Sequence, residues 1–210
     1  ELQKATSGGE FALELKCPFR TNWIHVSEAP SGWAKRLRAI GHNPSIHDAE
    51  YPVKTKNALA ISDAIVKLHT REQVAGASRF YEHFFGTTVT KKFVVYNAQA
   101  VMDCCFVHFG PGEGLHQTLS FKADSSSTIS GSLGSICLYL RTRQKFHLCF
   151  ARCKMAGILL QPGSSWEEVQ ASCEFQIRGI IDPQDNSGIL PMEHMIRFSA
   201  HPECPVHLES

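Results

Sequence analysis

An α+β fold of two βαβββ modules, behind an irregular N-terminal extension, is what this sequence predicts. Three observations predict it. A strand-like run leading to a helical stripe and a stopping glycine occurs twice, and β-rich runs follow each helix. A Ser-rich stretch at 124–134 separates the two blocks as a linker. With 43% apolar residues, the 210-residue chain has enough material for one compact domain or two small modules sharing a core.

The extension, 1–57, is rich in Pro, Trp, His and Lys/Arg and shows no sustained periodicity. Within it, Ser31-Gly32-Trp33 leads into a run at 34–40 closed by Gly41, which predicts one short helix. The first module, 58–123, opens with a strand at 58–69, where Ala64, Val66 and Leu68 alternate with Asp63, Ile65 and Lys67. A helix is predicted over 72–85 from the stripe Val74, Ala77, Ser78, Tyr81 and Phe84/Phe85, with Gly86 placed to end it. Strands follow at 88–96, 100–109 and 115–122, the last two separated by the Gly110-Pro111-Gly112-Glu113-Gly114 turn.

The second module, 135–201, repeats the order. A strand at 135–140 precedes a helix at 144–156 that ends at Gly157, and strands are predicted at 158–160, 173–181 and 190–198. Laying 63–68 over 135–140 superposes the apolar alternation position for position, which is the mark of an internal repeat. Residues 202–210 form a tail.

Composition excludes several function classes. Twenty-one basic against twenty acidic residues leave a net charge of +1, so no global field draws the chain to nucleic acid or an anionic membrane. No apolar run reaches the roughly 18–20 residues that span a bilayer. The eight cysteines include no C-x-x-C pair and read as small core residues in a reducing, intracellular compartment. The chain begins at Glu1 without Met, a trace that a removed organellar presequence or a cloning boundary leaves. No P-loop, G-x-S-x-G or dinucleotide fingerprint is present.

The most specific local motif is Phe80-Tyr81-Glu82-His83-Phe84-Phe85-Gly86 closing the first helix. Downstream, Gly157-Ile158 after the second helix is followed by Gly179-Ile180-Ile181-Asp182-Pro183 and then by Met192-Glu193-His194. In this order the segments resemble the vicinal oxygen chelate superfamily, the group of glyoxalases, bleomycin-resistance proteins and extradiol dioxygenases. The resemblance covers roughly residues 58–200. It implies paired curled mixed sheets around a cleft, with a divalent metal held by one side chain near the first and last strand of each module, usually His or Gln, Glu, His and Glu.

Those ligand places map onto Asp63, Ser120, Ser135 and Glu193. Two are carboxylates and two are hydroxyls, which bind transition metals poorly, whereas a catalytic site generally uses three good protein ligands. The expectation is therefore a degenerate site with no metal, no cofactor and no catalysis. His116, on the same predicted face as Ser120, is a substitute ligand that would restore a site of two carboxylates and one histidine.

The function expected is a non-catalytic binding module or accessory subunit of a larger assembly. Its protein partner would meet the extension through Trp23, Trp33, Lys35, Arg36 and Arg38. A metal-dependent lyase, isomerase or dioxygenase using one divalent ion, and a metal-free small-ligand binder, are the alternatives. Arg141, Arg143 and Lys145 put positive charge at the start of the second helix, against its dipole; this is a plain solvated terminus or a face for an acidic partner or anion.

Overall fold

The computed structural model describes residues 2–7, 10–16, 23–28, 59–96, 98–109, 117–126 and 135–202. The first block begins with β4 (Leu59–Leu68) and α1 (Arg71–Phe80), which runs into a π-helical turn at Tyr81–Phe85. Strands β5 (Val89–Tyr96), β6 (Gln99–Phe109) and β7 (Gln117–Ala123) follow. Thr70 starts α1 in a full capping box: its hydroxyl accepts from the Gln73 amide while the Gln73 side chain accepts from the Thr70 amide. Gly86 closes the π turn at φ +61°, a left-handed conformation that a glycine adopts without a Cβ penalty.

The predicted helix at 72–85 is thus right in extent, but its last turn widens. The widening lets the adjacent Phe84 and Phe85 both enter the core beside Tyr81. Below α1, Val66 and Leu68 of β4, Cys105 and Val107 of β6, and Leu119 and Phe121 of β7 are buried. The sheet is mixed: β4 and β7 are parallel, while β7 with β6 and β6 with β5 are antiparallel, in the order β4-β7-β6-β5.

Three more strands extend this sheet beyond β4. They are β1 (Leu2–Ser7), β2 (Glu10–Lys16) and β3 (Trp23–Glu28), with β3 antiparallel to β4. The sequence reading leaves the extension without strands. The signal was short: Phe11, Leu13 and Leu15 alternate with Ala12 and Glu14, and Ile24 with Val26, but neither run exceeds the length of a single strand. The short helix expected at 34–40 lies outside the described residues.

The second block contains β8 (Ser135–Leu140), α2 (Arg143–Met155), α3 (Trp166–Ser172), β9 (Glu174–Ile177), β10 (Ile180–Ile181), β11 (Gly188–Leu190) and β12 (Glu193–Phe198). β12 pairs in parallel with β8 and antiparallel with β9. A bridge between Leu159 and Ile177 brings 158–160 alongside β9. The order β8-β12-β9, with 158–160 bridged to β9, follows the order β4-β7-β6-β5 of the first sheet. The predicted strand at 173–181 breaks at Arg178-Gly179, and that at 190–198 breaks at Pro191, which frees β10 and β11 to form a separate hairpin. The sequence reading missed α3, although Ser165-Trp166-Glu167-Glu168 spells the capping box that starts it.

One apolar cluster runs through both blocks. α1 carries the junction. Arg79 reaches across to Asp182 at the head of the β10–β11 hairpin, its Nε donating to Oδ1 at 3.0 Å and its Nη2 to Oδ2. That pairing holds the Asp182 carboxyl below, and the Arg79 guanidinium above, their ordinary pKa values. Arg152 of α2 also donates to the His83 carbonyl on the π turn. Among the described residues no helix is long and apolar enough to cross a membrane.

Candidate functional site

Alternation along β8, β12 and β9 gives the second sheet two unlike faces. Leu138, Phe175, Ile177, His194 and Ile196 turn toward the core. The other face carries Ser135, Cys137 and Tyr139 on β8, Glu193, Met195 and Arg197 on β12, and Glu174 and Gln176 on β9. Register sets these side by side in rows: Ser135 with Glu193; Cys137 with Met195 and Gln176; Tyr139 with Arg197 and Glu174.

The third row is internally satisfied. Arg197 Nε donates to Glu174 Oε2 at 3.0 Å and its Nη1 donates to the Tyr139 hydroxyl at 3.3 Å. His201 Nε2 lies 3.3 Å from the same Glu174 oxygen. Burial raises the Tyr139 phenol above its usual pKa, so it stays protonated beside the cation. This row binds its own charges and leaves little for a ligand. The first row is different: Ser135 and Glu193 are exposed next to one another.

On the first sheet, Asp63 stands in register with Thr118, whereas Ser120 stands opposite Ile65, one pleat further along. Ser120 is buried at 2% exposure despite lying on the face away from α1. Of the residues placed by family position, Ser120, Ser135 and Glu193 are described; the Asp63 side chain and His116 lie outside the described residues. A metal centre needs three good donors, and a buried hydroxyl, an exposed hydroxyl and one carboxylate are not such a set. Among the described residues no three His, Cys, Asp or Glu side chains gather closely enough to hold an ion.

His194 follows Glu193 but points the other way, as alternation predicts. It is fully buried among Phe80, Tyr81 and Phe85. Its Nδ1 lies 2.8 Å from the Met192 carbonyl, which can only accept, so Nδ1 carries the proton and Nε2 accepts from the Tyr81 hydroxyl at 2.7 Å. Burial lowers the His194 pKa to about 4 and pushes the Tyr81 phenol well above its usual value. This is a neutral structural pair, not an acid or base open to substrate.

The core thiols are equally inert. Burial raises Cys105 to about 12 and also raises Cys149, which keeps both as thiols. A polar hollow of about 440 Å³ sits elsewhere, at the carboxyl ends of β4 and β7, lined by His69, Thr70, Arg71, Glu72, Ala123, Asp124 and Ser125. The Lys67–Asp124 ion pair, 2.9 Å, borders it.

Of the partner-binding residues expected in the extension, Trp23 lies on β3, hydrogen-bonded into the chain's own sheet in register with Ile65. Trp33, Lys35, Arg36 and Arg38 lie outside the described residues. Arg143 and Lys145 at the start of α2 are exposed, and the Thr142 hydroxyl there accepts from the Lys145 amide.

No protein-family model matches the chain, and no curated protein does. Among solved structures, a possible glyoxalase from Bacillus cereus is similar at 15% identity and a TM-score of 0.40, over 66% of this chain and 99% of that one. A lactoylglutathione lyase from Agrobacterium tumefaciens is similar at 18% identity and a TM-score of 0.34, over 65% and 92%. A glyoxalase/bleomycin resistance protein/dioxygenase from Nocardioides is similar at 14% identity and a TM-score of 0.37, over 76% and 97%. The strand order itself carries the fold: with a helix after the first strand of each block, the order β4-β7-β6-β5 in the first and β8-β12-β9 in the second, where 158–160 is bridged to β9, the chain has the glyoxalase, or vicinal oxygen chelate, fold.

Proposed function

We propose that this chain is a non-catalytic glyoxalase-fold protein, a binding module or accessory subunit that meets a protein partner through its N-terminal extension. One observation carries the reading. Where the family places metal ligands, Glu193 stands exposed beside a serine, and Ser120 is buried. An exposed carboxylate with a hydroxyl neighbour binds a divalent ion only weakly. Two rows along the same face, Arg197 is engaged by Glu174 and Tyr139.

Metal analysis of the purified full-length protein tests this, alongside a Glu193→Ala variant. Both proteins are expected to carry no stoichiometric Ni, Zn, Mn or Fe and to give the same response in a divalent-ion titration. Stoichiometric metal that is lost in Glu193→Ala would overturn the metal-free reading and favour the metal-dependent alternative. For the partner, Trp33→Ala in the full chain is expected to reduce the mass of the complex recovered from the native source. A monodisperse wild-type monomer that carries nothing from that source would overturn the accessory role.

A further inference from the structure

Five large apolar side chains stand out as exposed among the described residues: Phe93, Val95, Tyr96, Leu148 and Met155. Three of them fall within four consecutive positions of β5, at 54%, 80% and 56% exposure. β5 is also the last strand of its sheet, and no described strand pairs with its outer side. An edge strand presents a row of unused N–H and C=O groups, and proteins usually blunt it with charge, proline or shortness. Here the strand is eight residues long; its first half carries Lys91 and Lys92, its register with β6 shifts between Lys92 and Phe93, and beyond that shift Phe93-Val94-Val95-Tyr96 has neither charge nor proline.

We infer that this edge pairs antiparallel with the same edge of a second copy of the chain, about a two-fold axis at Val94. In an antiparallel ladder, residues directly opposite must both point their backbone groups into the new seam or both away from it. For two identical strands, such pairs have the same parity, so the axis has to fall on a residue. An axis at Val94 sets Phe93 opposite Val95 on one face, twice. On the other face it sets Lys92 opposite Tyr96, also twice.

The first pairing joins an aromatic to a β-branched side chain, and it is the one that favours this register; in the second, Lys92 meets a Tyr96 ring that already carries Arg71 at 5.0 Å. Lys91 is already held by Glu82 at 2.8 Å, so Lys92 is the lysine left to cross the seam. Moving the axis to Phe93 would set Lys91 opposite Val95 and Tyr96 opposite Thr90. Moving it to Val95 would carry Phe93 beyond the end of the strand. Val94 is the register in which Phe93 and Val95, exposed on one face, cover each other. The result is an isologous dimer with a sheet continuous across both copies.

Sedimentation of the full-length protein over a concentration series tests this, together with Val95→Lys. Val95 is 80% exposed, so the change removes little packing within one copy. Wild type is expected to associate to twice the chain mass, and Val95→Lys to raise the dimer dissociation constant by about tenfold or more. Register is read by oxidative cross-linking against the oxidised wild type. A cysteine at Val94 meets itself across the axis within disulfide reach, whereas cysteines at Val95 sit a diagonal step apart. Val94→Cys should therefore form a linked dimer and Val95→Cys should not. A wild type that stays monomeric throughout, including one that captures a foreign strand instead, would overturn the proposal. So would an undiminished dimer in Val95→Lys, or linkage at Val95→Cys alone.

Discussion

Tyr81 and His194 show how one buried hydrogen bond joins the two halves. Because Nδ1 is committed to the Met192 carbonyl, Nε2 has the Tyr81 hydroxyl as its donor. Tyr81→Phe keeps the ring contacts but strands that nitrogen in the core, a loss of about 1–3 kcal/mol. Replacing both partners, as Tyr81→Phe with His194→Leu, removes donor and acceptor together and is expected to cost less than the single change. Urea midpoints of the two variants check this; equal or reversed costs would mean that the hydrogen bond contributes little. Ser78 is the opposite case. Its Oγ is buried on α1 without a hydrogen-bond partner among the described residues. Ser78→Ala is therefore expected to leave stability unchanged or to raise it by up to about 1 kcal/mol, since it removes an unsatisfied hydroxyl and adds a better helix former. A thermal midpoint lowered by several degrees would refute that.

At the scale of the elements, two glycines let the β10–β11 hairpin sit tightly, but for different reasons. A Cβ at Gly179 would come 2.7 Å from the Leu190 carbonyl oxygen, a backbone atom that moves only if the hairpin opens. A Cβ at Gly76 on α1 would meet Ile189 Cδ1 at 2.5 Å, the far end of a flexible side chain. Gly179→Ala is expected to cost roughly 1–3 kcal/mol as overpacking. Gly76→Ala should cost less, because alanine recovers up to about 1 kcal/mol of helix propensity. Denaturant unfolding of the two variants gives the comparison directly, and a larger loss at Gly76 would contradict it.

The same elements show what a sequence can and cannot disclose. Strand β4, both long helices and the three later strands of the first block are legible, because their apolar periods run long enough to separate 2 from 3.6. Gly86 and Gly157, both at positive φ, mark the helix ends as read. The widened π turn is not legible, since Phe84-Phe85 fits an α-helical stripe just as well. Nor is the break at Gly179, which arises from the approach of Leu190, distant in sequence. At the site, alternation correctly sends His194 away from Glu193. It does not disclose that Asp63 lies one pleat out of register with Ser120, because relative register belongs to two strands at once.

For the molecule as a whole, the junction pair makes stability depend on pH in a defined window. His194 has a folded pKa of about 4, while an exposed histidine titrates near 6.5. Between these values the unfolded chain binds a proton at this position that the native chain refuses. Stability is then lost as pH falls, by at most about 1.4 kcal/mol per pH unit and roughly 3 kcal/mol across the window. The paired carboxylates act later. Asp182 is held below its ordinary value by the hydrogen bond from Arg79, so its contribution is present above the unfolded carboxylate range and disappears only as pH falls through its depressed pKa. Acidification should therefore weaken the fold in two stages, the histidine stage first. Urea midpoints measured from pH 7 down to pH 2 for wild type and for Tyr81→Phe/His194→Leu separate the stages. The double variant is expected to show a shallower decline above pH 4, by up to one proton's worth of slope, and to keep the steeper fall below it. Parallel curves throughout would place the acid sensitivity elsewhere and would mean that His194 takes up its proton without leaving the folded core.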